Sequence, residues 1–226
     1  MKKFLMTTIL FGVTDKKEFA RQIVSPFLQR IFIALTILFC MTGGNVSEAT
    51  PFTDNQFDRI FTGVTKNPAV DSSATFDLNV DTFKEKFNGY ATPILKEITG
   101  LDDVSAMAHL FLIHDYKIFP MNGVDTFANT FGNVSISIVG VTAPDGGNFK
   151  ILTCAYTSPE EEDEKLTAQI ILEAFVRSVA PDVSAMELMN ELTTENSSGS
   201  VVKGNVKFSI SEDGNLNTLT ATPVVN

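Results

Sequence analysis

Tryptophan is absent from this 226-residue chain, histidine and cysteine occur twice each, and tyrosine three times. Each scarcity excludes something. Two cysteines, Cys40 and Cys154, permit at most one bridge, which rules out a disulfide-dense secreted scaffold. The two histidines, His109 and His114, diverge by about 140° on a helix and lie on opposite faces of a strand, so they make no ready metal pair. Basic residues are outnumbered 17 to 27 by acidic ones, for a net charge of -10. The imbalance is uneven: Lys2, Lys3, Lys16, Lys17, Arg21 and Arg30 outweigh Asp15, Glu18 and Glu48 in residues 1–49, so the rest of the chain is more acidic than the total. Such a body argues against nucleic acid as a partner and against unaided adsorption to anionic membranes, because both need clustered Lys and Arg. No P-loop, GxGxxG, GxSxG, HExxH or CxxC motif occurs. The sequence therefore assigns no catalytic, cofactor-binding or metal-binding residue, and implies no cofactor.

No apolar run approaches the roughly 20 residues of a spanning helix. The longest uncharged one is IFIALTILFCM, residues 31–41, which follows Arg30 and fits the h-region of a bacterial-type export leader. Ser47-Glu48-Ala49 places small residues where a signal peptidase needs them, and Thr42-Gly43-Gly44 is a second candidate. Residues 1–49 are thus expected to be a signal peptide or an N-terminal membrane anchor, with lipidation at Cys40 disfavoured by the bulky Phe39 before it. After cleavage only Cys154 would remain, so the mature chain would hold no internal disulfide and would depend on its apolar core. The remaining stretch is long enough for one such core.

Residues 50–74 read as a short helix capped by Asp54, with Phe57, Ile60 and Phe61 on one face, then a linker over residues 63–74. This stretch either packs back on the domain or forms a stalk. Residues 75–226 read as a single α+β domain. Residues 75–80 alternate as a strand. A helix capped by Thr82 and Glu85 follows, carrying Phe83, Phe87 and Tyr90 until Pro93 closes it. Residues 93–118 are ambiguous between a further helical turn over 94–98, a helix over 102–112 and a strand over 107–116; a strand at 110–118 is the preferred reading. From Val124 a meander begins. Residues 134–141 alternate, with Val134, Ile136, Ile138 and Gly140 facing one way and Ser135, Ser137, Val139 and Val141 the other. Pro144-Asp145-Gly146-Gly147 is a turn, and residues 149–156 return as the partner strand.

The acidic stretch beginning at Ser158 organises the chain. Ser158, Pro159 and Glu161 form a capping box with proline at the first helical position, and Glu160 to Glu164 suit the positive end of a helix dipole. Downstream, only Gln169, Glu173 and Arg177 interrupt the apolar pattern, a polar stripe so narrow that Ile170, Ala174 and Phe175 are expected to be buried and Glu160 to Glu164 exposed. Pro181 ends this helix. Ser184 and Glu187 restart a second, with Ala185, Leu188, Met189 and Leu192 on one face. A second meander follows: strands at 200–203, 206–211 and 216–222, with turns at Gly204-Asn205 and Glu212–Asn215, the latter of Asp-Gly type. The expected fold is an antiparallel sheet of two meander or hairpin units with helices packed on one face, its Ser- and Thr-rich face partly open to solvent.

Several groups look chemical and have blander readings. Cys154 stands mid-strand in an apolar setting without an activating base. Asp213, Asn215 and Asn217 imitate the start of a calcium loop, but no glycine holds the sixth position and Val224 stands where a bidentate Glu belongs. Asn133 and Asn196 lie in glycosylation sequons. Nineteen phenylalanines can line a pocket or fill a core. The reading that follows is an exported binding or interaction module at the cell envelope or outside the cell, with an unknown protein or small-molecule partner. The alternatives are a secreted hydrolase with a carboxylate site assembled from distant residues, and a carrier of an apolar ligand.

Overall fold

A computed structural model describes residues 52–108, 110–114, 116–121, 124–131, 136–158, 162–194 and 199–224. The expectations for the leader at 1–49, Cys40, His109, Asn133, Asn196, and the cap formed by Ser158 with Glu161 fall wholly or partly outside them. In order, the elements are α1 (Asp54–Thr65), a single 3-10 turn (Pro68–Val70), α2 (Val80–Thr99), α3 (Ser105–Ala108), β1 (Lys117–Met121), β2 (Val124–Thr130), β3 (Ile136–Thr142), β4 (Phe149–Thr157), α4 (Glu162–Val179), α5 (Ala185–Thr193), β5 (Ser200–Lys203), β6 (Val206–Asp213) and β7 (Leu216–Pro223). The strands form one seven-stranded sheet, in the order β1-β2-β3-β4-β7-β6-β5, antiparallel throughout. The two meanders meet where β4 pairs with β7, and the α4–α5 pair carries the chain from the middle of the sheet to its far edge. The α+β architecture expected from the sequence is the one observed.

Register sorts side chains by face. Ile136, Ile138 and Gly140 stand opposite Tyr156, Cys154 and Leu152, while Ser137, Val139 and Val141 stand opposite Ala155, Thr153 and Ile151, the separation that the alternating sequence demands. The first face lies under α2, α4 and α5. There Phe83, Phe87, Phe127, Phe149, Leu152, Ile170, Phe175, Leu188 and Phe208 join one buried cluster. Ile170, Ala174 and Phe175 are fully buried, and Gln169, Glu173 and Arg177 are only partly so, as the narrow stripe predicts. Glu164 departs from expectation: it is half-buried rather than exposed.

The opposite face is covered by α1. Ile60 and Val64 of α1, with Phe52, bury Val139, Val141, Ile151, Ala155 and Leu216 in a second, smaller cluster. Residues 52–65 therefore pack back on the sheet. The cap of α1 is Thr53 rather than Asp54, with Gln56 completing a capping box, and the helix runs to Thr65, into the first residues of the expected linker. The Ser- and Thr-rich face is accordingly less open than its composition suggests. Ser137 and Thr153 are buried, and each shares a hydroxyl hydrogen bond with a neighbouring strand, Thr130 to Ser137 at 2.9 Å and Thr153 to Thr220 at 3.0 Å. Such pairing is what makes a buried hydroxyl tolerable. Ser211, beyond the reach of α1, stays exposed.

The local reading fails at four places, through packing, a competing cap or an unread turn signal. Residues 75–79 form no strand, although Phe76 and Leu78 are buried and exchange backbone hydrogen bonds with Phe149 at 2.8 and 2.7 Å. Asn79 caps α2, with Thr82 at the third helical position, and the helix runs through Pro93 to a left-handed Gly100. Proline costs an interior helix one hydrogen bond, but Ala91 and Leu95 on either side of it are fully buried and hold the axis on course. The expected strand at 110–118 is instead a turn and a loop leading into β1, which overlaps the expected span only at Lys117 and Ile118. The missed signal is Asn122-Gly123, a strong hairpin dipeptide; Met121 and Val124 pair on either side of it. Finally, Ser184 makes no side-chain cap bond at the start of α5. Glu173 of α4 takes that role, its Oε2 accepting from the Ala185 backbone N–H at 2.8 Å, while Oε1 accepts from Arg177 Nε at 2.7 Å.

Two turns position the strands. Asp145 and Gly146 both have positive φ between β3 and β4, as a type I′ hairpin requires. At the β6–β7 connection Asp213 pairs with Leu216, so the central residues are Gly214-Asn215 rather than Asp213-Gly214, with Gly214 at φ 66.

Candidate functional site

The residues weighed for chemistry do not converge. His109 lies outside the described residues, and His114 is exposed on the loop before β1. That loop is bound to α2 by an amide clamp. Asn88 Oδ1 accepts from the Ile113 N–H at 2.8 Å, and Asn88 Nδ2 donates to the Ile113 carbonyl at 3.0 Å, as a neighbouring strand would. Lys84 Nζ donates to the His114 carbonyl at 2.6 Å and stands 5.7 Å from the Tyr116 ring centroid. Tyr116 donates its hydroxyl to Asp81 Oδ1 at 3.0 Å, which, with partial burial, raises its pKa above the ordinary tyrosine range. The groups around His114 thus spend their hydrogen bonds attaching the loop to the helix.

Cys154 is fully buried in β4, and burial pushes its thiol far up, away from the thiolate that nucleophilic chemistry needs. Tyr156, two residues on and on the same face, is raised first by burial and then by Cys154 and Glu212. The register runs Tyr156 to Asn217 and Asn217 to Glu212, so these three form a row across β4, β7 and β6. Asn217 is 2% exposed. Its Nδ2 donates to Ser158 Oγ at 3.2 Å and to the Asn215 carbonyl at 3.5 Å, while its Oδ1 meets no donor.

The calcium-like triplet has a structural use. Asp213 Oδ2 accepts from Arg59 Nη1 of α1 at 2.8 Å, and Asn215 Oδ1 accepts from Gln56 Nε2 at 3.3 Å. With Asn217 buried on β7, the three side chains serve separate purposes, two holding α1 to the β6–β7 turn. Among the described residues, no group of three or more His, Cys, Asp and Glu is arranged to hold a metal ion.

Both edges of the sheet expose large apolar side chains that the sequence did not reveal, and on β5 this is Val202, 55% exposed. Ile118 and Phe119, on the edge strand β1, are 45% and 41% exposed. They point to opposite faces of the sheet, and Phe119 meets Phe61 of α1 edge-on at 6.0 Å between centroids. Pro120 stands beside them. A two-residue hairpin closes on a hydrogen-bonded pair, here Met121 with Val124, so the alternation places the nitrogen of Pro120 on the outward side. The edge lacks a donor there, which hinders a foreign strand from extending the sheet. The apolar side chains, by contrast, remain available.

No helix among the described residues is long and apolar enough to cross a membrane. No protein-family model matches the chain, and neither a curated protein nor a solved structure matches it.

Proposed function

We propose that the chain is an exported, non-enzymatic interaction module that works at the cell envelope or outside the cell, and that its partner is a protein contacting the β1 edge side-on. The observation that supports this reading is the exposure of Ile118 and Phe119 on an edge strand, with Phe119 joined to Phe61 of α1, since a contiguous exposed apolar patch marks a contact site. Pro120 favours a contact made by side chains over one made by strand addition. The export part of the reading rests on the apolar run at residues 31–41 and its basic flank. The carrier alternative loses its motive in the phenylalanines themselves: Phe83, Phe127 and Phe149 pack on one another with centroids 5.7–6.1 Å apart, filling the space between helices and sheet.

The test uses the full-length chain in its own cells. A photo-crosslinking amino acid at position 119 is expected to trap one protein in the envelope or extracellular fraction, and the same label at Thr222 is expected not to. The paired change of Ile118→Asp and Phe119→Asp should abolish capture reported from a label placed at Lys117, with the melting transition retained. Equal labelling from positions 119 and 222 would sink the contact reading. Mass determination of the native protein addresses export separately: a chain that retains residues 1–49 in the cytoplasmic fraction would refute it.

A further inference from the structure

We draw no further inference here: the strongest candidate, the polar row of Glu212, Asn217 and Tyr156 beside Ser158, offers one buried carboxamide oxygen without a donor, an atom that a single ordered water satisfies, and the nearest acidic residues after Ser158 in sequence, Glu160 and Glu161, lie outside the described residues.

Discussion

The two faces of the sheet are filled in different ways. Beneath α2, α4 and α5, apolar side chains run from Phe127 on β2 to Phe208 on β6, and three helices cover them. Beneath α1 the apolar strip is smaller: Val139, Val141, Ile151, Ala155 and Leu216 are buried, Val124 and Ala128 pack at their margin, and one amphipathic helix covers them with Ile60 and Val64. The remainder of that face is hydroxyl-rich and reaches solvent at Ser211. The first face is a core whose parts depend on one another. The second is an attachment, held by a modest apolar strip and two polar contacts at the β6–β7 turn. Stability should therefore be unequal across the sheet.

Mutations can break this comparison. The largest effect is expected from Phe83→Ala. Its ring lies at the centre of the helix-side cluster, fully buried against Phe87, Phe127 and Phe149, and truncation should cost about 3–5 kcal/mol in urea unfolding. Gly140→Val comes next. A Cβ at this site would stand 2.6 Å from Phe149 and 2.9 Å from Leu152, so overpacking should cost about 1–3 kcal/mol or more, seen as a lowered melting temperature with unchanged far-UV dichroism. Ile60→Ala under α1 should fall near about 2 kcal/mol, at the low end for a buried isoleucine, because a peripheral helix can settle into the space. If urea denaturation gives Ile60→Ala the cost of Phe83→Ala, the two faces form one cooperative unit and the contrast fails.

Smaller changes sharpen it. Glu173→Ala removes the acceptor that joins Arg177 to the first N–H of α5 and should cost about 1–3 kcal/mol, with faster amide exchange at Ala185 as the specific signature. Arg59→Ala removes an ion pair to Asp213 whose side chains are 50% and 63% exposed. Its effect should stay below about 1 kcal/mol and vanish in high salt. A larger loss would mean that the pair, not the apolar strip, holds α1 in place. The pH dependence follows from Cys154 and Tyr156, both raised by burial. Folding keeps them protonated while the unfolded chain ionises, so the unfolded state binds fewer protons in alkali. Stability should fall as pH rises past about 9, the ordinary thiol value. Cys154 should resist alkylation until the protein unfolds; rapid labelling of the native protein would contradict its burial.

Much of the core face was legible in advance. The stripe of Gln169, Glu173 and Arg177 identified the buried side of α4, and the alternation at 136–141 identified both faces of β3, because helix and strand periods are written into the order of residues. Where reading failed, a local rule met a non-local force. Pro93 should stop a helix, yet burial of Ala91 and Leu95 carries α2 past it. Ser184 should cap α5, yet a carboxylate from another helix arrives first. As to a site, the sequence offered isolated polar residues, and the structure puts several of them to structural use: Asp213 and Asn215 anchor α1, and Cys154 packs as a small apolar group, while Asn88 and Lys84, which carried no signal in the sequence, anchor the loop that holds His114. The exposed pair on β1 was invisible because nothing in a single strand says whether it lies in the middle of a sheet or at its edge.

By itself, then, the sequence determined the α+β class, the two meanders and the buried face of the α4–α5 pair, since these follow from periodicity, turn chemistry and capping along the chain. Only the tertiary structure decided that α1 closes the second face, that β4 and β7 join the meanders, and that β1 is left with an apolar edge. Those outcomes depend on pairing between residues as distant as Arg59 and Asp213, and such partners are chosen by shape and burial after collapse, not by spacing along the chain.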